Sequence, residues 1–365
     1  MSTDLIPSYD MLGLPAPAWL AQALMALTLA LHWAFLGGAV GGTALLVVNA
    51  LRTKANPDLA ELNRRLVPFL PFFLSMAMTL GIAPLLFVQV LYGQFFYTAN
   101  ILLGWWWLGM LGLLLAAFGL LWLGWHRECR RDVAIPRDAA CGHAAYRIVL
   151  PALALVVFAK AAVILASNAT LTQSPEAWGA TWSRGMNRLF TGDPTLVPRV
   201  LFALAGFLAM GGLLVAVLAH VGILPNAGRR AGLSLAVPAA VAQVALWLWL
   251  LASMPATHHG QVSEDASWWI ATMAFLALPL LAGLVRRGGG PVGLLVTAGV
   301  QFGGLLAWAL ARDALRRMAL APVYSPATVP VHPEWSSFAM FAVVFVAGLG
   351  VIGWLVKQSL PAAKA

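Results

Sequence analysis

Carboxylates are what this chain most conspicuously lacks. It has 13 acidic residues, and on the sequence all of them fall in polar connecting stretches, none inside an apolar run. Proton-coupled carriers keep a titratable carboxylate at membrane depth, so the pattern argues against a proton-coupled carrier. Cysteine is nearly absent too. Cys129 and Cys141 are too few for a disulfide framework, and no C-x-x-C-H motif offers covalent haem attachment. The N-terminal MSTDLIPSYDMLGLPAP lacks a basic n-region, so no cleavable signal peptide is expected and insertion is expected to start with the first helix. Only 10% of residues are charged against 61% hydrophobic, a proportion that no soluble core requires. The formal charge of +9 is spread over short loops, which points to membrane lipid rather than nucleic acid as the partner.

Nine apolar segments are expected to cross the bilayer: 17–50, 66–92, 101–124, 148–167, 196–220, 232–253, 267–285, 290–310 and 336–356. The fold class is therefore all-α, a polytopic bundle forming one integral membrane domain over 1–365. Connecting loops alternate in charge. The set 51–65, 125–147, 221–231, 286–289 and the C-terminal tail holds fifteen of the 22 Lys and Arg residues, and the other set holds six. The positive-inside rule then puts the N-terminus outside and the C-terminus in the cytoplasm, as expected for a multi-pass protein of a bacterial inner membrane.

The first apolar run contains His32, the only histidine well inside such a segment. An imidazole there either hydrogen-bonds a neighbouring helix or ligates a metal or haem. Gly37, Gly38, Gly41 and Gly42 strip one side of the same helix, which admits a close helix or a flat ligand. Lys160 interrupts the fourth apolar segment; it either snorkels outward along its stem or meets an anion such as a propionate or a quinone oxygen. Gln89, Gln243 and Gln301 are polar amides at membrane depth, suited to gluing helices or to binding a ligand. Trp105, Trp106 and Trp107 open the third segment at interfacial depth, where aromatic belts occur and where a quinone or haem contact is the alternative. The stretch His126, Cys129, Cys141, His143 reads H-x2-C-x11-C-x-H, a zinc-compatible ligand set in a spacing of no common zinc module. His258 and His259 form a second weak candidate. Loop 168–199 and loop 311–335 provide a polar outer surface with room for a partner, the latter opening as a short amphipathic helix before its prolines.

In order along the chain, several stretches resemble subunit I of the cytochrome bd-type quinol oxidases. LAQALMALTLALHWAFL is similar to that family's first helix, and His32 falls on its haem-ligating histidine. GIAPLLFVQVLYG (81–93), Gly124-Trp125-His126-Arg127, ILASNATLTQSP (164–175) and GDPTLVPRVLFALAGF (192–207) resemble later family segments. The similarity covers most of residues 1–220 and is weak over 221–365. Departures bear on chemistry. Ile101 to Leu123 has no carboxylate where the family has two glutamates, and the low-spin haem ligand falls near Phe202. The loop between helices six and seven is short, and Ala311-Arg312-Asp313 stands near the place of a G-R-Q-P-W signature. Oxygen reduction is therefore not expected.

The resemblance is to reduced relatives of that subunit, associated with multihaem c-type cytochromes. It implies a membrane subunit of a respiratory electron-transfer complex, linking the quinone pool with cytochromes outside. One haem b on His32 is implied, with Met76, Met78 and Met210 as second-ligand candidates. Lys160, Gln89 and Trp105 are the further candidate cofactor contacts, and quinone the second cofactor. A cofactor-free structural anchor is the first alternative and a small-molecule transporter the second, the latter lacking paired broken helices.

Overall fold

The computed structural model describes residues 6–9, 12–52, 56–134, 146–185 and 187–359. Among the described residues nine helices are long and apolar enough to cross a bilayer, as the apolar runs predict, and the one extended pairing is a bridge between Leu14 and Val331. α1 (Ala18–Arg52), α3 (Phe69–Leu103), α4 (Trp105–Ala134) and α5 (Tyr146–Thr172) form one group. α7 (Leu196–His220), α8 (Ala227–Ala252), α10 (Ala266–Arg287) and α11 (Pro291–Leu320) form a second. α1 packs on α3 and α5 and also on α7 and α11, so it is the seam between the groups. α12 (Trp335–Ser359) stands at the periphery, touching α3 through Phe341 against Phe87 at 5.4 Å. Short helices α2 (Pro57–Leu66), α6 (Trp178–Ser183) and α9 (Ala256–Glu264) lie in the connections.

The glycine stripe explains the seam. A Cβ on Gly41 would sit 2.7 Å from Gly211 Cα on α7, so the two backbones meet at a distance only glycine permits. Gly38 and Gly42 turn toward α3, against Phe73 and Leu70. The stripe thus receives helices on both sides, which is the helix-packing reading of its two. Buried amides hold the second group: Gln301 Nε2 donates to Gly206 O at 3.2 Å and to Gln243 Oε1 at 3.4 Å, tying α11 to α7 and α8.

Three boundaries differ from the sequence expectation. Residues 93–100, expected as a loop, are helical, and α3 runs through them with a kink at Tyr92 (φ −141°, ψ 31°). Polar Gln94, Thr98 and Asn100 broke the apolar run, but Asn100 pairs with Asn168 of α5 at 2.6 Å, so the polarity is spent inside the fold. Leu91 O, beside the kink, accepts the Tyr324 hydroxyl at 2.7 Å, the kind of side-chain intrusion that bends helices. The real turn is Gly104, with φ +50°, where Trp105 N donates to Asn187 Oδ1 at 2.9 Å. Second, α4 continues to Ala134, and Glu128 near its end pairs with Arg147 and accepts the Tyr146 hydroxyl at 2.8 Å. Third, residues 311–320, expected to open the outer loop as a short amphipathic helix, are the last turns of α11. Asp313 is consequently inside a membrane-length helix and 3% exposed, which corrects the expectation that no acid lies within one.

Candidate functional site

His32 lies on α1 against a bare patch of α3. Its Nδ1 donates to Ala77 O at 2.7 Å, and a Cβ on Gly81, one turn further along, would come within 2.9 Å of the same nitrogen. The bond fixes the ring and its tautomer, leaving Nε2 as the basic nitrogen, without a protein partner among the described residues. The helix-bonded reading and the ligand reading of this histidine are thus compatible, because they use different nitrogens. Of the methionines considered as second ligands, Met210 is buried against Gly37, Met78 is half-buried against the core of the first group, and Met76 is half-buried.

Lys160 finds its partner within the chain. Its Nζ lies 4.1 Å from the centroid of the Trp106 ring, and the Trp106 indole N–H donates to Asn187 O at 3.0 Å. The indole face gives the ammonium a partner worth about 0.5–2 kcal/mol without an acid of this chain. Trp105 is 72% exposed on the other side of the helix and meets none of these groups with its side chain.

Gln89 lines a cleft of about 420 Å³ between the N-terminal segment, α3 and the stretch 321–334. Tyr97 donates its hydroxyl to Gln89 Oε1 at 2.9 Å, which leaves the Gln89 amide N–H groups available. Tyr9, Gln94, Thr98 and Tyr324 add polar groups, and exposed Val90 and Ile101 flank the opening. Burial pushes the Tyr324 hydroxyl up from its ordinary range, so it stays protonated, and its proton is held by Leu91 O.

A cationic cluster, not foreseen from the sequence, occupies the end of the bundle that charge bias assigns to the outside. Asp313 accepts from Tyr92 at 2.9 Å and from Arg316 at 3.3 Å, with Arg317 at 3.4 Å on its other oxygen. The Arg316 guanidinium also lies over the Tyr92 ring at 4.8 Å and reaches Met25 Sδ at 3.9 Å. Arg199, at the start of α7, donates to Thr195 Oγ1 at 2.9 Å, and Thr195 in turn donates to Asp193 at 2.6 Å. Arg312, Arg316 and Arg199 are close enough to repel one another. The signal available in the sequence was the i, i+4 spacing of Arg312 and Arg316, which sets both on one helix face.

The interior of the second helix group is filled by aromatics. Phe202 packs on Trp247 at 5.3 Å, Phe275 at 5.1 Å and Trp308 at 5.5 Å, and Trp268 stacks on Trp247 at 5.4 Å. Phe202, Trp247 and Phe275 are fully buried. Phe202 offers iron no axial nitrogen or sulfur and is enclosed by these rings, so the residues at this position do not fit a low-spin haem ligated there. Among the described residues no cluster of His, Cys, Asp and Glu is arranged for a metal ion. His258 and His259 sit on α9 without such company, and the proposed set of His126, Cys129, Cys141 and His143 falls largely outside the described residues.

No family model matches this sequence, and no curated protein matches it. Among solved structures, the chain is similar to the bd oxidase from Geobacillus thermodenitrificans, with a TM-score of 0.71 at 11% identity, over 96% of this chain and 99% of that one. That likeness establishes the fold: a multi-pass membrane bundle of the bd-oxidase type.

Proposed function

We propose that the chain is a membrane subunit of a bacterial respiratory electron-transfer complex, in contact with the quinone pool and with c-type cytochromes outside, and not itself an oxygen reductase. The observation that carries this reading is the cleft at Gln89. A quinone carbonyl needs a hydrogen-bond donor at the bilayer edge and an apolar path for its tail, and the Gln89 amide N–H groups offer the first beside exposed Val90 and Ile101. The bd-oxidase fold supports placement in a respiratory chain. His32 is the residue that would hold a haem b, with Ala77 O orienting the ring; such a group would supply one-electron transfer. Against oxygen reduction stand the membrane part of α4, which has no carboxylate before Glu128, and the filled interior of the second group.

The cofactor-free anchor is favoured by one observation, the Lys160–Trp106 pair, which gives that lysine a partner within the chain. Titration of the full chain in nanodiscs with a short-tailed quinone, read by tryptophan fluorescence, decides between them. Saturable binding weakened about tenfold by Gln89→Leu is expected, the equivalent of one lost hydrogen bond. Absence of binding, together with no haem in a pyridine haemochrome assay, would leave the anchor. A haem lost in His32→Ala would locate the electron carrier.

A further inference from the structure

We infer that the buried arginines at the junction of α7 and α11 form a binding site for an oxyanion, a phosphate or carboxylate group carrying one or two negative charges. Arg199 is 7% exposed, and its Nε and Nη1 have no partner among the described residues; Arg316 is 4% exposed, and its Nε has none among them. Buried guanidinium donors left unpaired are costly, and native folds supply each with an acceptor. Charge points the same way. Arg199, Arg312 and Arg316 face two carboxylates, Asp193 and Asp313, and Asp313 is also drawn upon by Arg317 from the surface. With Arg199 and Arg316 buried and Arg312 half-buried, the cluster holds one guanidinium more than its two carboxylates match.

Shape narrows the ligand further. Guanidinium forks match the oxygens of phosphate and carboxylate in pairs, which a halide does not exploit. Arg199 lies in the first turn of α7, and Arg316 is four residues, about 6 Å, from the end of α11. The cluster is therefore near lipid head-group depth rather than at the bilayer centre. A head-group phosphate and a soluble phosphate both reach that level. Neither the cleft at Gln89 nor His32 is involved, so the inference stands apart from the quinone reading.

The test uses the full chain purified in detergent, with native mass spectrometry for retained anionic lipid and thermal unfolding with added inorganic phosphate or phosphatidylglycerol. One bound phospholipid per chain that survives detergent washing, absent in Arg199→Gln, supports a head-group source. No retained lipid but a rise in Tm of about 2–5 °C with millimolar phosphate, abolished in Arg316→Gln, supports a soluble source. Arg317→Gln, on the exposed side, should keep either behaviour. If Arg316→Gln does not fold, Arg199→Gln and the wild-type titrations still decide. Wild-type protein that retains no anion and gains nothing from phosphate, phosphatidylglycerol or acetate overturns the proposal.

Discussion

Replacing Asp313 by Asn keeps the shape of the side chain and removes its charge, so it isolates what that carboxylate does. The Asp313–Arg316 pair is 3.3 Å apart with side chains 4% and 5% exposed. Tyr92 can still donate to the Asn oxygen, so the hydrogen bond is largely preserved. Arg317 is 47% exposed and loses at most about 1 kcal/mol. The dominant cost is Arg316 left buried without its counter-charge, about 3–5 kcal/mol when one member of a buried pair is removed. The assay is reversible unfolding in mixed micelles, followed by tryptophan fluorescence. In the double variant Asp313→Asn with Arg316→Met, the loss should fall short of the sum of the single losses by about 1–3 kcal/mol. An Asp313→Asn protein within about 0.5 kcal/mol of wild type, or strictly additive losses, would refute the claim that this pair is electrostatically coupled in a dry site.

Other expectations follow from separate contacts. Gly41→Val should destabilise the α1–α7 seam by about 3 kcal/mol or prevent folding, since its Cβ meets Gly211 backbone; Gly42→Ala should cost less, because the opposing atom is the mobile Leu70 Cδ2. Lys160→Met and Trp106→Leu should show a coupling of about 0.5–2 kcal/mol in a thermal-unfolding double-mutant cycle. Phe202→Ala should cost about 3–5 kcal/mol by opening a cavity among Trp247, Phe275 and Trp308, measured by the same unfolding titration.

The helix count was legible because a spanning segment must be both long and apolar, and the close approach of α1 to its neighbours was legible in four glycines. What failed was the treatment of polarity as an interruption. Asn100 and Gln94 read as loop residues, yet their helix continues because Asn168 and Tyr324 meet them. Asp313 and Arg316 read as surface charges for the same reason; tertiary partners more than 200 residues away, such as Tyr92, made them interior. His32 was legible as a singular residue, but its division of labour between Nδ1 and Nε2 depends on Ala77 and Gly81, which nothing in the sequence links to it. The Lys160 partner lay in plain view in the tryptophan triplet, and only the α4–α5 packing selects Trp106 over Trp105.

The aromatic filling of the second helix group has a consequence for biogenesis. A bundle whose interior is completed by its own side chains reaches its final density as soon as α7, α8, α10 and α11 meet, with no dependence on the supply of a prosthetic group. Starvation for haem would then leave this half of the protein intact in the membrane. If His32 holds a haem as proposed, the first group would be the half whose maturation answers to the cell's haem supply.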